Sequence, residues 1–388
     1  MNTNEQLAKL ANANVYFDKT LVFVCVTLVV FGYLMVSSAS LHLGAKLTGN
    51  LLHYPMRQLL HIVLGLVVGV CVCLVPMSFW EKTGPVLFFV GLVLLAVVLI
   101  PGVGIKVNGS MRWLSLLGIR VQVSEIMKLV VVIYMAGFVT RHHDFVRESV
   151  YGLIRPLLLL SSACVLLLFE PDMGSAVVIV TIAMGVMFLS GARLQQFVAL
   201  IFGIIGVGVL AIVYSDYRSA RVTSFLHPWE DPFGKSFQLV QALISFGRGE
   251  WTGVGLGSGV QKLFYLPEAH TDFLFSVIAE EMGLLGVVGV IILFALLVWR
   301  AFVIAALAEQ LNEKFSAFIA YGLGIWFAFQ SFVNMGVNMG VLPTKGLTLP
   351  FMSYGGGSMI VMCAAMALLY RVYSDMITLQ KNKALSDE

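Results

Sequence analysis

Apolar stretches of about twenty residues recur along this chain, near 20–40, 57–76, 84–101, 122–140, 156–170, 173–190, 194–214, 272–299, 315–340 and 347–373. Inside hydrocarbon every backbone N–H and C=O must find its partner within the protein, so segments of this length cross a bilayer as α-helices. The pattern predicts an all-α polytopic membrane protein with about ten transmembrane helices. A content of 59% hydrophobic and 12% charged residues, with a mean hydropathy of +0.93, excludes an ordinary soluble domain. A net charge of +3 gives no field suited to nucleic acid. Cys25, Cys71, Cys73, Cys164 and Cys363 all lie in apolar segments without ligand spacing, which argues against a disulfide framework and against a zinc site.

The first 19 residues are polar and lack the features of a cleavable signal, so the first span is expected to direct its own insertion. An even number of spans leaves tails at 1–19 and 374–388 on one side of a transmembrane domain covering 20–373. Basic residues are shared almost evenly between the two sides, and the positive-inside rule favours cytoplasmic termini by a small margin. The other side carries Lys46, Arg57, Lys106, Arg112, Arg120, Arg218, Arg221, Lys235, Arg248, Lys262 and Lys345. These are either ordinary solvated charges or the seat of an anionic ligand.

One extracytoplasmic connection, about 215–271, is far longer than the rest. Within it FGKSFQLVQALISFG (233–247) sets Phe237, Val240, Leu243 and Ile244 at helical spacing but is too short to span. It reads as a short re-entrant or interfacial amphipathic helix. The glycine-rich run 247–259 that follows could bring backbone amides to a phosphate. It lacks GxxxxGK[ST], so a nucleotide site is not expected. The loop closes on LPEAHTDF, where Asp272 meets the next apolar run behind Glu268 and His270. A carboxylate at a membrane surface, fronted by a histidine and a second carboxylate, is placed to take a proton from a bound hydroxyl.

Ionisable groups within spans point to function because their burial has to be compensated. Ser124 and Glu125 can both reach Lys128 along a helix, either as a self-satisfied cluster or as part of a site. Glu280 lies within a quadrant of Asp272 on the helix wheel and could line the same cavity or pair with Lys128, whereas Glu281 faces the opposite way. Gln330, Asn334 and Asn338 make an i, i+4, i+8 stripe suited to interhelical hydrogen bonds or to a cavity wall. Asp172, in the short FEPDMG turn between two spans, can cap the following helix. Arg112 beside Trp113 resembles an interfacial anchor. Lys345, stiffened between Pro343 and Pro350 and followed by SYGGGS from Ser353, can hold an anionic head group near backbone amides.

The runs RVTSFLHPWEDPFGKSFQLVQALISFGRGEWTGVGLGSGVQKLFYLPEAHTDF and PTKGLTLPFMSYGGGS, together with EPDMGS, resemble the SEDS family (shape, elongation, division, sporulation). The resemblance extends from Tyr16 to about Tyr373, and Ala269 and Lys345 in their motifs resemble its cell-division branch. Val123 in QVSE and Gly357 in SYGGGS depart from the usual proline and serine. The resemblance implies an inner-membrane peptidoglycan glycosyltransferase with ten helices and cytoplasmic termini, acting on lipid II, a disaccharide-pentapeptide on undecaprenyl diphosphate. It places the catalytic aspartate at Asp272 and companion positions at Lys345, Lys128, Arg112, Glu268 and Arg248. His270, Glu280, Asn338 and Ser353 complete the candidate substrate-binding set. No cofactor is certain; a divalent cation, Mg²⁺ or Mn²⁺, would suit a departing diphosphate. A class B penicillin-binding transpeptidase and division regulators are the implied partners. A lipid II flippase and a non-catalytic division scaffold are the rival readings.

Overall fold

In a computed structural model the protein is described over residues 16, 18–107, 110–116, 119–215, 219, 223, 225–234, 236–343 and 346–387. The expected N-terminal tail (except Tyr16, Asp18 and Lys19) and Asn108, Gly109, Arg218, Arg221, Lys235 and Lys345 lie outside the described residues. The helices run α1 (Lys19–Thr48), α2 (His53–Leu74), α3 (Met77–Val98), α4 (Val123–Arg141), α5 (His143–Glu148), α6 (Val150–Phe169), α7 (Met173–Leu189), α8 (Leu194–Val213), α9 (Phe237–Gly249), α10 (Leu274–Gln310), α11 (Lys314–Asn338) and α12 (Gly356–Asp387). Eight of these are long and apolar enough to cross a membrane, and the shorter apolar α7 and α8 stand at the sixth and seventh expected spans. The last helix begins at Gly356 rather than near 347, so residues 346–355 form a loop ahead of it. It then runs on through residues read as a tail.

Burial follows the sequence pattern. Helix α4 is apolar all round and its residues Val130–Val139 are buried, so it forms the centre against α3, α7 and α11. Helices α2 and α3 keep one buried stripe each and turn the rest of their apolar surface outward, as lipid-facing helices do. Asp18 caps α1 at the Leu21 amide, 3.0 Å away, and pairs with Arg300 of α10, which ties the first and eighth spans together.

The structure adds one thing to the all-helical expectation. Strands β1 (Ile105–Val107), β2 (Ser110–Leu116) and β3 (Ile119–Gln122) form an antiparallel sheet between α3 and α4, with Ser115 opposite Arg120 and Trp113 opposite Gln122. Asn108-Gly109 between two short runs with β-branched and aromatic residues is a hairpin signal.

The amphipathic loop helix is present as α9, packed on α10, but its buried side is Leu239, Val240, Ala242, Ser245 and Gly249, so Phe237 and Ile244 are not its core. Helix α10 is broken at Gly283, whose φ of 61° and ψ of −159° are not helical. The loop supplies the partners that the break removes: Leu284 and Leu285 donate to the carbonyls of Glu250 and Trp251, and Val254 and Gly255 donate to those of Glu280 and Glu281. A Cβ on Gly283 would stand 2.6 Å from the Trp251 carbonyl carbon and 2.7 Å from the Gly249 oxygen. Gly283→Ala therefore combines a positive-φ backbone open essentially to glycine alone, costing about 1–3 kcal/mol, with overpacking of about 1–3 kcal/mol. The expected result is a clear fall in the thermal midpoint of the purified protein; an unchanged midpoint would show that the loop does not seal the break.

Candidate active site

Asp272 stands at the last turn of the long loop, two residues before α10. Its carbonyl accepts from the side-chain amides of Asn334 and Asn338, each at 2.9 Å. Asn334 also donates to the Leu347 carbonyl at 2.6 Å, and Asn338 accepts from the amide and hydroxyl of Ser276. Gln330, the third member of the stripe, accepts from Lys128 and Trp326 and donates to the Thr348 carbonyl. The stripe therefore joins α4, α10 and the loop before α12, as expected of interhelical hydrogen bonds.

The Asp272 carboxyl is half-buried, and no side chain donates to it among the described residues. Its Oδ2 lies where a Cβ on Gly346 would come within 2.9 Å, so the 346–349 backbone runs directly against it. Burial and then the Glu268 charge raise its pKa to about 7, while Arg112 pulls the other way. His270 is pushed down from the usual imidazole value by burial, against Glu268. Its ring lies 5.0 Å from Tyr54 and 5.4 Å from Tyr354, and its carbonyl accepts from the Tyr354 amide at 2.9 Å. Glu268 takes a left-handed φ of 55° and its carboxylate accepts from Thr271 at 2.8 Å.

The other candidates divide. Arg112 on β2 donates to the Glu170 and Pro171 carbonyls at 2.8 and 2.7 Å, so the sheet carries a cation onto the FEPDMG turn. In that turn Asp172 caps α7 at the Ser175 amide and accepts from Ser124, Ser175 and Gln122. Ser124 thus turns to Asp172 and not to Lys128. Glu170 is fully buried with neither carboxyl oxygen hydrogen-bonded among the described residues, and burial raises its pKa to about 8. Lys128 is sealed between Glu125 at 2.6 Å and Gln330 at 2.8 Å. Ser353 is buried and accepts from the Leu349 amide at 2.9 Å, closing its own loop. Lys345, adjoining Gly346, lies outside the described residues.

Glu280 does not pair with Lys128. It accepts from the amides of Val260 and Gln261, with Arg248 at 3.7 Å. Glu281 takes Lys262 at 2.5 Å, Ser38 of α1 and the Gly257 amide. The glycine-rich run gives the Gly257 amide to Glu281, and the two residues that follow it, Val260 and Gln261, give theirs to Glu280. Sequence reasoning left Tyr54 and Tyr354 unmarked beside the candidate base; Tyr354 inside SYGGGS was the available signal. An apolar cavity of about 220 Å³ opens between α7 and α11, lined by Gly174, Phe329, Val333, Leu342, Pro343 and Leu347 among others. Leu347 is one residue from Gly346, so this cavity adjoins the Asp272 loop.

The sequence profile described as cell cycle protein, covering FtsW, RodA and SpoVE, matches residues 19–376. The chain is 62% identical over 367 residues to a protein of Methylomonas methanica named probable peptidoglycan glycosyltransferase FtsW, covering 95% of each chain. Its fold is similar to a chain of a peptidoglycan synthase complex solved for how polymerization and crosslinking are coordinated, at a TM-score of 0.73 and 28% identity over 93% of this chain and 99% of that one. It is also similar to the crystal structure of the Thermus thermophilus rod shape determining protein RodA, at a TM-score of 0.68 and 27% identity over 93% and 98% of the two chains.

Removing one member of a buried ion pair leaves the other charge uncompensated, at a cost of about 3–5 kcal/mol. Lys128→Met is therefore expected to destabilise the protein strongly, and Lys128→Met with Glu125→Gln to recover much of the loss in a thermal melt. Equal melting of the wild type and the single variant would mean that Lys128 serves a ligand instead of the fold.

Proposed function

The chain belongs to the cell cycle protein family of FtsW, RodA and SpoVE, and from that premise we propose that it is a peptidoglycan glycosyltransferase of cell division. It polymerises lipid II at the septum, in the inner membrane, with both termini in the cytoplasm. The observation that carries the reading is the Asp272 carboxyl: fixed through its main chain, half-buried, and without a donor among the described residues. Such a group is free to accept a proton.

Asp272 takes the proton of the 4-hydroxyl of an acceptor N-acetylglucosamine as that oxygen attacks the anomeric carbon of a donor N-acetylmuramic acid. The C–O bond to the diphosphate breaks, the anomeric centre inverts from α to β, and undecaprenyl diphosphate leaves with the electron pair. The transition state resembles an oxocarbenium ion. Arg112 and Lys345 are the cations assigned to the departing charge. The apolar cavity beside Leu347 suits part of a polyprenyl chain. A Mg²⁺ or Mn²⁺ ion would neutralise diphosphate charge, but no group of three or more His, Cys, Asp or Glu side chains gathers around one point among the described residues. The described groups do not by themselves make a cage for such an ion, which would be carried by the diphosphate. A class B penicillin-binding transpeptidase is the proposed partner, with its extracytoplasmic part against the 215–271 loop and division regulators acting through that pair.

General-base assistance is worth about 10²–10⁴-fold. Asp272→Asn is expected to abolish glycan strands made from labelled lipid II while leaving the thermal melt unchanged; strands from this variant would overturn the assignment, and lipid translocation in sealed vesicles without polymer would favour a flippase. The base must be ionised, and its pKa is raised to about 7, so the initial rate is expected to climb with pH through about 7 and level off above it. Arg112 lowers that pKa, hence Arg112→Gln should move the rising limb to higher pH. A limb that stays in place would remove Asp272 as the titrating group.

A further inference from the structure

Four charges act on the Asp272 carboxyl, and they come from four parts of the chain. Arg112 reaches it from β2, Asp172 from the cap of α7, Glu125 from α4 and Glu268 from its own turn. The α11 side chains Asn334 and Asn338 and the 346–349 backbone add no charge, and burial favours the neutral form of His270. Three of the four charges are fixed by partners inside the protein. Arg112 rests on the Glu170 and Pro171 carbonyls, Asp172 takes the Ser124 and Ser175 hydroxyls at 2.9 Å each, and Glu125 takes Lys128 at 2.6 Å. Glu268 alone of them is exposed, and a glutamate side chain in water samples many rotamers.

A tether lies in the same turn. The Thr271 hydroxyl stands 2.8 Å from Glu268 Oε2 and 3.1 Å from the Glu268 carbonyl, so its one proton goes chiefly to the carboxylate. The same carbonyl accepts from the amides of Thr271 at 3.1 Å and Phe273 at 3.2 Å. With this folding-back Glu268 takes a φ of 55°, a region that residues other than glycine seldom enter. Buried Leu266, Ala269 and Phe273 peg the turn to the core. Backbone strain that the surroundings hold in place collects at functional sites. Here the strained turn brings the carboxylate of Glu268 onto the side chain next to Asp272.

We propose that Thr271 is a positioning residue for the base: its hydroxyl keeps the Glu268 carboxylate within electrostatic reach of Asp272. The role rests on the reading of Asp272 as the base. A nearby negative charge favours the protonated carboxyl, opposite to Arg112, so the tether helps Asp272 hold the proton that it takes. Cutting the tether lets Glu268 swing into water, where its field is screened. Glu268 then serves the reaction through its charge and not by contact with the substrate.

The test reads Asp272 without turnover, in the full-length protein in nanodiscs. Dicyclohexylcarbodiimide labels the protonated carboxyl, and peptide mass spectrometry counts the label. The pH of half-labelling is expected at about 7 in the wild type and about half a unit lower in T271V at low salt. T271S should titrate with the wild type. E268Q should shift at least as far as T271V, and the T271V/E268Q pair no further than E268Q. In about 1 M salt, where charges are screened beyond about 3 Å, the wild type and T271V should coincide. The pH–rate profile of polymerisation should show the same shifts, with KM for lipid II unchanged. A hydroxyl that only closes the turn would change stability and not this midpoint. An unmoved T271V midpoint, a shift that persists in high salt, or a double variant that shifts beyond E268Q would each overturn the proposal. T271A takes the place of T271V if valine prevents folding. A shifted midpoint on protein that makes no polymer would sink the enzyme reading and keep the tether; polymer made with an unmoved midpoint would do the reverse.

Discussion

The mouth of the candidate site depends on where one carbonyl is held. Asn334 and Asn338 both donate to the main chain of Asp272, and Asn334 at the same time donates to Leu347. In a medium that supplies little water, an amide with a partner stays where the partner is, because leaving it costs the full desolvation of both groups. One helix face thus sets the distance between the acid and the loop that runs over it. Gln330 extends the same spine inward to the Lys128–Glu125 pair. The buried pair sits in the packing against which that face is fixed, one to two turns from the chemistry proposed here.

A second anchoring acts from the loop side. Breaking α10 at Gly283 strands backbone groups in the protein interior, and the segment 250–255 fills them. Glu280 and Glu281 then draw the amides of Gly257, Val260 and Gln261 and the ammonium of Lys262 onto the same half-helix. A carboxylate accepting several amides is a low-energy buried anion. Residues 250–262 of the loop and the short helix that begins two residues after Asp272 are consequently one body, and Ser38 of α1 is bonded to it through Glu281. A partner that pressed on the loop would push on the site.

The spans were legible because length and apolar composition decide them, and the polar stripe because its period is that of a helix. Asp172 as a cap could be read for the same local reason. What was not legible depends on distance in space. The break at Gly283 looks in sequence like any helical glycine, since its φ is imposed by a segment thirty residues away. The buried face of α9 was misread because its apolar residues include Ile244, which the packing on α10 leaves outside. The three strands were hidden by the expectation that a membrane chain is helical throughout, although Asn108-Gly109 carried the turn signal. Glu280 could be read only as lining the Asp272 cavity or pairing with Lys128; the loop amides that reach it are invisible to a wheel.

Holding an acid by its main chain and holding it by its carboxyl have opposite chemical consequences. A donor on the carboxylate would fix Asp272 just as firmly, but it would stabilise the charged form and lower the pKa, making a poor base near neutral pH. Fixing the carbonyl leaves the carboxyl to burial and to Glu268, both of which favour the protonated form, with Arg112 as the opposing charge. The balance falls at about 7, where a base is ionised for much of the time and still holds a proton well. Arg112 is held there without an ion pair by two of its five N–H donors, which go to the Glu170 and Pro171 carbonyls and leave the others for a ligand. The hairpin that delivers Arg112 to that turn therefore tunes the aspartate from a distance, and the asparagines keep it in place without weakening it.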